Sequence, residues 1–230
     1  MDTQRIVMLI GEEALAQLTK ARVAVLGLGG VGSYVAEALV RSGIGSVLLL
    51  DKDVVDSSNV NRQLPALSST IGQKKVDVMA ARLHDINPQC DLTIVSDLYT
   101  PGSFASILPG KWSYIVDAID DVPAKIDLIT TCYEQHIPLI SSMGTGNKLD
   151  PTKLAVADIS KTSVCPLARS IRQKLRKKGI TKGVEVVFST EEPHKCSTGP
   201  VPASMAFVPG AAGLLIASHV VRNLISDFGG

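Results

Sequence analysis

The sequence predicts an α/β fold, a doubly wound and mostly parallel sheet. Three observations carry that expectation. Short, almost wholly apolar runs such as Arg22-Val23-Ala24-Val25-Leu26 recur along the chain and read as parallel strands covered on both faces. Between them lie stretches whose apolar residues fall at helical spacing. Strand and helix alternate as far as about residue 146, the order that a parallel sheet with crossover helices requires.

The opening stretch Glu12 to Lys20 has Leu15 and Leu18 at helical spacing and predicts a packed helix. The strand Arg22 to Leu26 then runs into the turn Gly27-Leu28-Gly29-Gly30-Val31-Gly32. After it, Tyr34, Val35, Ala38 and Leu39 share one face of a helix that Gly43 stops. A second strand, Ser46 to Leu50, ends in Asp51 and completes a β-α-β unit. Lys52 to Thr70 is polar and irregular, longer than an ordinary connection and for that reason expected to be functional. Helix returns at Gln73 to Asp85 and stops before Asn87-Pro88, because the residue preceding proline disfavours helical angles. Leu92 to Val95 and Tyr114 to Ala118 read as strands, Ala124 to Gln135 as a helix and Leu139 to Ser142 as a strand. Beyond Leu149 the pattern loosens into a strand Leu154 to Ile159, a basic helix Pro166 to Lys178, a strand Val184 to Phe188, a Pro/Gly-rich crossing and a final helix.

With 230 residues, 45% of them hydrophobic, the chain is long enough to bury a full core without metal or disulfide staples, in one domain of two lobes. Cys90, Cys132, Cys165 and Cys196 are widely spaced, with no Cys-x-x-Cys pair and no zinc-ligand spacing, which favours free thiols in a reducing, cytoplasmic setting. Asp2, Glu12 and Glu13 replace the basic start of a secretory signal. The longest apolar stretch, Ala211 to Val221, is too short to span a bilayer and reads as a buried helix. Net charge is only +1, yet Lys161, Arg169, Arg172, Lys174, Arg176, Lys177, Lys178 and Lys182 follow one another with no acidic residue between them. That run is either a solvated helix face or a cationic surface for a polyanion.

A glycine turn between a strand and a helix lets backbone approach phosphate, and the free amides at the helix start attract it. Asp51, at the end of the next strand, is placed to accept hydrogen bonds from a ribose. Those two features fit NAD and ATP equally. Charge separates them, because a triphosphate with its metal needs fixed cations and a carboxylate. The long loop supplies Asn59, Asn61, Arg62 and Gln63, the next helix Lys74 and Lys75, and the strand after it ends in Asp117-Ala118-Ile119-Asp120-Asp121. These cations and the carboxylate cluster are expected to converge on one mouth at the carboxyl ends of the strands, as an ATP site.

The run Gly27 to Gly32, Asp51-x-Asp53, Ser58-Asn59-x-Asn61-Arg62-Gln63, Gly72-Gln73-Lys74-Lys75 and Asp117-Ala118-Ile119-Asp120 resembles the adenylylating family of ubiquitin-activating enzymes and their bacterial relatives in thiamine and molybdopterin synthesis. The resemblance implies a Rossmann-like core over residues 1–146 that binds ATP and Mg²⁺ through Gly27, Gly29, Gly30, Gly32, Asp51, Asp53, Asn59, Arg62, Gln63, Lys75 and Asp120. Within it Asp51 holds the ribose, Asn59, Arg62 and Lys75 contact the phosphates, and Asp120 binds the metal. It also implies that Arg5 reaches the γ-phosphate of a neighbouring subunit, so that the chain is a homodimer. The two Cys-x-x-Cys pairs of the thiamine and molybdopterin relatives are missing here. Instead the segments Ile137 to Thr152, Asp158 to Arg169 and Val187 to Glu191 resemble the branch of the family that dehydrates threonylcarbamoyladenosine in tRNA. That likeness implies that residues 147–230 face substrate and pack the dimer. It implies adenylylation of a carboxylate on a tRNA nucleoside beside the anticodon, with Arg169, Arg172, Arg176 and Lys177 contacting the anticodon arm. The alternative is activation of a sulfur-carrier protein ending in Gly-Gly, with a working Cys196 and a sulfur-transfer partner.

Overall fold

The computed structural model describes residues 1–194 and 202–225. Seven strands form one sheet in the order β3-β2-β1-β4-β5-β7-β6. They are β1 (Arg22–Leu26), β2 (Ser46–Leu50), β3 (Asp91–Val95), β4 (Tyr114–Asp117), β5 (Leu139–Ser142), β6 (Leu154–Asp158) and β7 (Glu185–Ser189). Every neighbouring pair is parallel except β6 with β7. The expected doubly wound α/β sheet is therefore present, and the residue 146 boundary falls between β5 and β6 of this continuous sheet. The central strands are apolar throughout because both faces are covered: in β1, Val23, Ala24, Val25 and Leu26 have no exposed surface. The edge strand β3 keeps several residues in solvent, Ile94 among them.

The helices are α1 (Gln4–Lys20), α2 (Gly32–Arg41), α3 (Lys75–Ile86), α4 (Phe104–Ile107), α5 (Val122–Glu134), α6 (Pro166–Lys177) and α7 (Phe207–Leu224). The sequence expectation for α1 covered only its second half. The helix begins at Gln4 and breaks at Gly11, whose φ of 79° is left-handed backbone that glycine adopts without a Cβ clash. The four-residue α4 and the 3₁₀ turn Ser57–Asn59 in the long loop carry no periodicity and were not expected.

On one face of the sheet, Val35, Ala36, Leu39 and Val40 of α2 pack with Ala212, Ile216, Ala217 and Val220 of α7, Leu18 of α1, and Val23 and Val25 of β1. Full burial of each Leu, Ile or Val contributes about 1.5–3 kcal/mol. α7 lies unusually close to α2, since a Cβ on Gly213 would come within 2.5 Å of the Val31 carbonyl oxygen. α7 has the length and composition of a membrane span, but it is seated in this core. The other face is closed by Ala24, Leu26, Tyr99, Phe104, Trp112 and Leu128, and beyond β5 by Ile171 and Leu175 of α6.

Candidate active site

The carboxyl ends of β1, β2 and β4 open onto a cleft of about 390 Å³. Its floor is the glycine turn. Gly27 has φ 90°, and a Cβ there would lie 2.6 Å from the Ala118 carbonyl oxygen. Gly32 is tighter still, 1.8 Å from the Gly27 oxygen. Both are therefore required by the turn, whereas a Cβ on Gly29 would meet only Gln63 Nε2, at 3.8 Å. Gly27, Gly29 and Gly30 line the cleft, and Gly32 lies behind it as the first residue of α2.

Asp51 is 8% exposed, and its two oxygens accept from the Leu28 amide at 2.7 Å and the Asp53 amide at 2.8 Å. It therefore ties the glycine turn to the end of β2 while still lining the cleft. Lys75, at the start of α3, turns inward, 5% exposed, with Nζ 3.2 Å from Asp53 Oδ2. Lys52 takes the other Asp53 oxygen at 2.6 Å. Partial burial pushes the Asp53 carboxyl up, but the hydrogen bonds and charges of the two lysines outweigh it and hold it below the ordinary aspartate value. The hydrogen bond to Asp53 in turn raises Lys52. Arg62 is steadied through Nη1 by the Ser58 carbonyl at 2.8 Å and Asn61 Oδ1 at 2.9 Å. Asn59 lines the same wall, where its Oδ1 caps the 3₁₀ turn by accepting from the Asp56 amide at 3.1 Å. Gln63 lines the cleft and is 9% exposed, and its Oε1 is buried with no hydrogen-bond partner among the described residues.

Two expectations need correction, those for Asp117 and Lys74. Asp117 does not reach the mouth: it has no exposed surface and pairs with Lys125 Nζ at 2.8 Å, because the last residue of a central strand is enclosed by the helix that follows. Asp121 lines the cleft beside Asp120 as expected, while its side chain also caps α5 by accepting from the Ala124 amide at 2.9 Å. Lys74 points into solvent, since successive residues at a helix start diverge in direction. Arg5, expected at a neighbouring subunit's cleft, is exposed in the first turn of α1 and does not line the cleft of its own chain.

Sequence reasoning missed Asp97, Leu98 and Tyr99, which follow β3 and close the far side of the cleft, and also Lys52. The rule that ligands lie beyond the carboxyl ends of parallel strands was the signal that pointed to the β3 loop. On α6, Ala168, Ile171 and Leu175 face the core, and Arg169, Arg176 and Lys177 are exposed. Arg172 is not equivalent to them: its Nη1 donates to the Thr162 carbonyl at 2.9 Å and to the Thr162 hydroxyl, anchoring the approach to α6. Cys196 and the tail Phe228-Gly229-Gly230 lie outside the described residues.

The cleft's cations and glycine floor have the chemistry of a nucleoside triphosphate site. Comparison with known proteins gives it a setting. The ThiF family matches residues 1–228. A tRNA threonylcarbamoyladenosine dehydratase of Bacillus subtilis (strain 168) is 49% identical over 234 residues, covering 95% of this chain and 92% of that one. Its counterpart in Escherichia coli (strain K12) is 43% identical over 210 residues, covering 88% and 78%. The solved structure of E. coli tRNA N6-threonylcarbamoyladenosine dehydratase, TcdA, in complex with ATP superposes with a TM-score of 0.90 at 39% identity, covering 96% of this chain and 93% of that one.

Proposed function

The chain belongs to the ThiF family, and on that premise we propose that it is an ATP-dependent enzyme that dehydrates threonylcarbamoyladenosine in tRNA. The observation that carries this reading is near full-length similarity to dehydratases of that name, one of them solved with ATP, in a chain whose cleft gathers Arg62, Lys75 and Asp120.

A carboxylate is a poor electrophile. Its oxygen attacks the α-phosphorus of ATP, pyrophosphate leaves, and the threonyl group becomes a mixed anhydride with AMP. An atom of the neighbouring urea then attacks the acyl carbon and loses its proton, and AMP departs with the former carboxylate oxygen. The nucleoside has lost one water. Because the nucleophile is tethered, at an effective concentration on the order of 10⁵ M or more, no thiol relay is required. The protein's work is to align and neutralise phosphates: Arg62 by a planar fork, Lys75 as a point charge released from Asp53, and the glycine amides at the start of α2. Asn59 and Gln63 complete the phosphate wall in this reading, Asp53 belongs to the nucleotide site through its hold on Lys52 and Lys75, and Asp51 takes the ribose. Asp120 makes no hydrogen bond among the described residues and stands exposed at the mouth, so it fits a hard cation; Mg²⁺ held there would supply charge neutralisation of the triphosphate.

The same reading makes the chain a cytoplasmic homodimer in which Arg5 serves the neighbouring subunit's cleft. It gives the exposed Arg169, Arg176 and Lys177 to the anticodon arm, with Arg172 in a supporting place. The test is mass spectrometry of tRNA nucleosides after incubation with ATP. Wild type is expected to convert the modified adenosine to a product one water lighter, Arg62→Ala and Asp120→Ala to lose conversion while melting as wild type, and Cys196→Ser to retain it. Full conversion by Arg62→Ala sinks the phosphate assignment. Loss of turnover in Cys196→Ser, with a Gly-Gly carrier protein adenylylated instead, transfers the chain to the sulfur-carrier reading.

A further inference from the structure

The Asp120 carboxylate sits in a four-residue turn between β4 and α5, exposed, and no side chain hydrogen-bonds it directly among the described residues. Its aim must come from the backbone on either side, and both sides are fixed. On the β4 side, Asp117 Oδ1 accepts from the Ile119 amide at 3.1 Å, closing a turn two residues long. On the α5 side, the Asp121 carboxylate caps the helix. The Ala118 amide donates to the Leu26 carbonyl at 2.8 Å, and the Ala118 carbonyl packs on Gly27, so this turn rests on the glycine turn itself.

What holds Asp117 is a group sealed from the cleft. Lys125, in the first turn of α5, has no exposed surface and gives its Nζ to Asp117 Oδ2 at 2.8 Å, Ser141 Oγ at 3.2 Å and the Ser142 carbonyl at 3.0 Å. Ser141 Oγ also donates to Asp117 Oδ2, at 2.6 Å. All three ammonium protons thus have acceptors, and the charge is matched by one carboxylate. A buried pair of this kind is seldom retained for stability alone, because well-packed apolar residues serve as well or better. Its geometry links the end of β4, the end of β5 and the start of α5 beneath a single exposed carboxylate.

We propose that Lys125, through Asp117 and Ser141, is a positioning residue that sets the Asp120 carboxylate against the glycine turn and so sets the enzyme's affinity for the metal of its nucleotide. The inference rests on the assignment of Asp120 to Mg²⁺. Lys125 acts through Asp117 and touches neither substrate nor metal.

The experiment uses the full chain and four variants: Asp120→Ala, Lys125→Met, Ser141→Ala and the double variant Asp117→Asn with Lys125→Met, which removes both charges and keeps an acceptor for Ile119. ATP binding is measured by calorimetry in EDTA, and the rise in melting temperature is titrated with Mg²⁺ in the presence of a non-hydrolysable ATP analogue. The double variant and Ser141→Ala are expected to bind metal-free ATP as wild type does and to require about tenfold and about threefold more Mg²⁺, respectively, for the half-maximal rise, from weakened hydrogen bonds to a charged group. Lys125→Met strands a buried carboxylate; if it fails to fold, the other two carry the test. An unchanged Mg²⁺ midpoint in both folded variants overturns the proposal, as does a parallel loss of metal-free ATP binding, which marks a general structural role. An unchanged midpoint in Asp120→Ala strikes the metal assignment itself and is read separately from the other variants.

Discussion

Gly29 and Gly32 occupy the same turn, yet a methyl group at each meets a different fate. At Gly32 it would collide with the Gly27 oxygen at 1.8 Å, and at Gly29 it would enter the cleft, 3.8 Å from Gln63 Nε2. Gly32→Ala is therefore expected to lose about 3 kcal/mol or more of stability, since backbone has to move. Gly29→Ala is expected to melt within about 1 kcal/mol of wild type while binding ATP about tenfold or more weakly, because the methyl group takes space the phosphates need. Thermal melts paired with ATP titration separate the two, and equal affinity in Gly29→Ala would show that the phosphates do not approach this amide. At this scale the sequence was informative about where Arg62, Lys75 and Asp120 meet, because residues that follow the parallel strands and the glycine turn gather at the carboxyl end of the sheet. It was silent about Lys125, because a lysine in a helix reads as a solvated charge until the partner strand is known.

Among the elements, α6 shows how a pattern is legible while one member of it is not. Its apolar residues Ala168, Ile171 and Leu175 define the buried stripe, so the positive face opposite follows from periodicity alone. Arg172 lies at the border of the two faces, and only the packing of Thr162 against α6 decides that its guanidinium serves the protein's own backbone. Arg176→Glu with Lys177→Glu is accordingly expected to weaken tRNA binding and to reduce the slope of log affinity against log salt by about 1.5–2, as two phosphate contacts would. Arg172→Ala is expected to lower the melting temperature instead, with a salt slope close to wild type. A filter-binding series across salt concentrations checks both, and a double variant with the wild-type slope removes the tRNA from this face.

At the scale of the whole molecule, α1 is where a second subunit would act. The first helical turns of α1 run ahead of the Gly11 kink with Met8 and Leu9 85% and 78% exposed, a degree of apolar exposure that a partner surface would relieve. Arg5 lies on the same segment. If Arg5 serves the neighbouring cleft, Arg5→Ala and Arg62→Ala are each inactive, but mixing them lets subunits exchange. Half of the resulting dimers then carry one complete site, restoring about a quarter of wild-type turnover. No recovery on mixing, with exchange confirmed by native mass spectrometry, would place Arg5 in its own subunit's site or outside catalysis.

The sequence by itself determined the fold class, the succession of strands and of the longer helices to β5, and part of the cleft's lining, Arg62, Lys75 and Asp120 among it. Local periodicity and turn chemistry act over a few residues, and they are written in the order of residues. Three things needed the tertiary structure: the antiparallel reversal of β6 beside β7, the seating of α7 against the glycine turn, and the division of Asp117, Asp120 and Asp121 into a buried ion pair, a free carboxylate and a helix cap. Each depends on which group a side chain meets from a distant part of the chain. Burial and partner choice, which decide whether a charge is structural or available, are properties of that meeting and not of the residue.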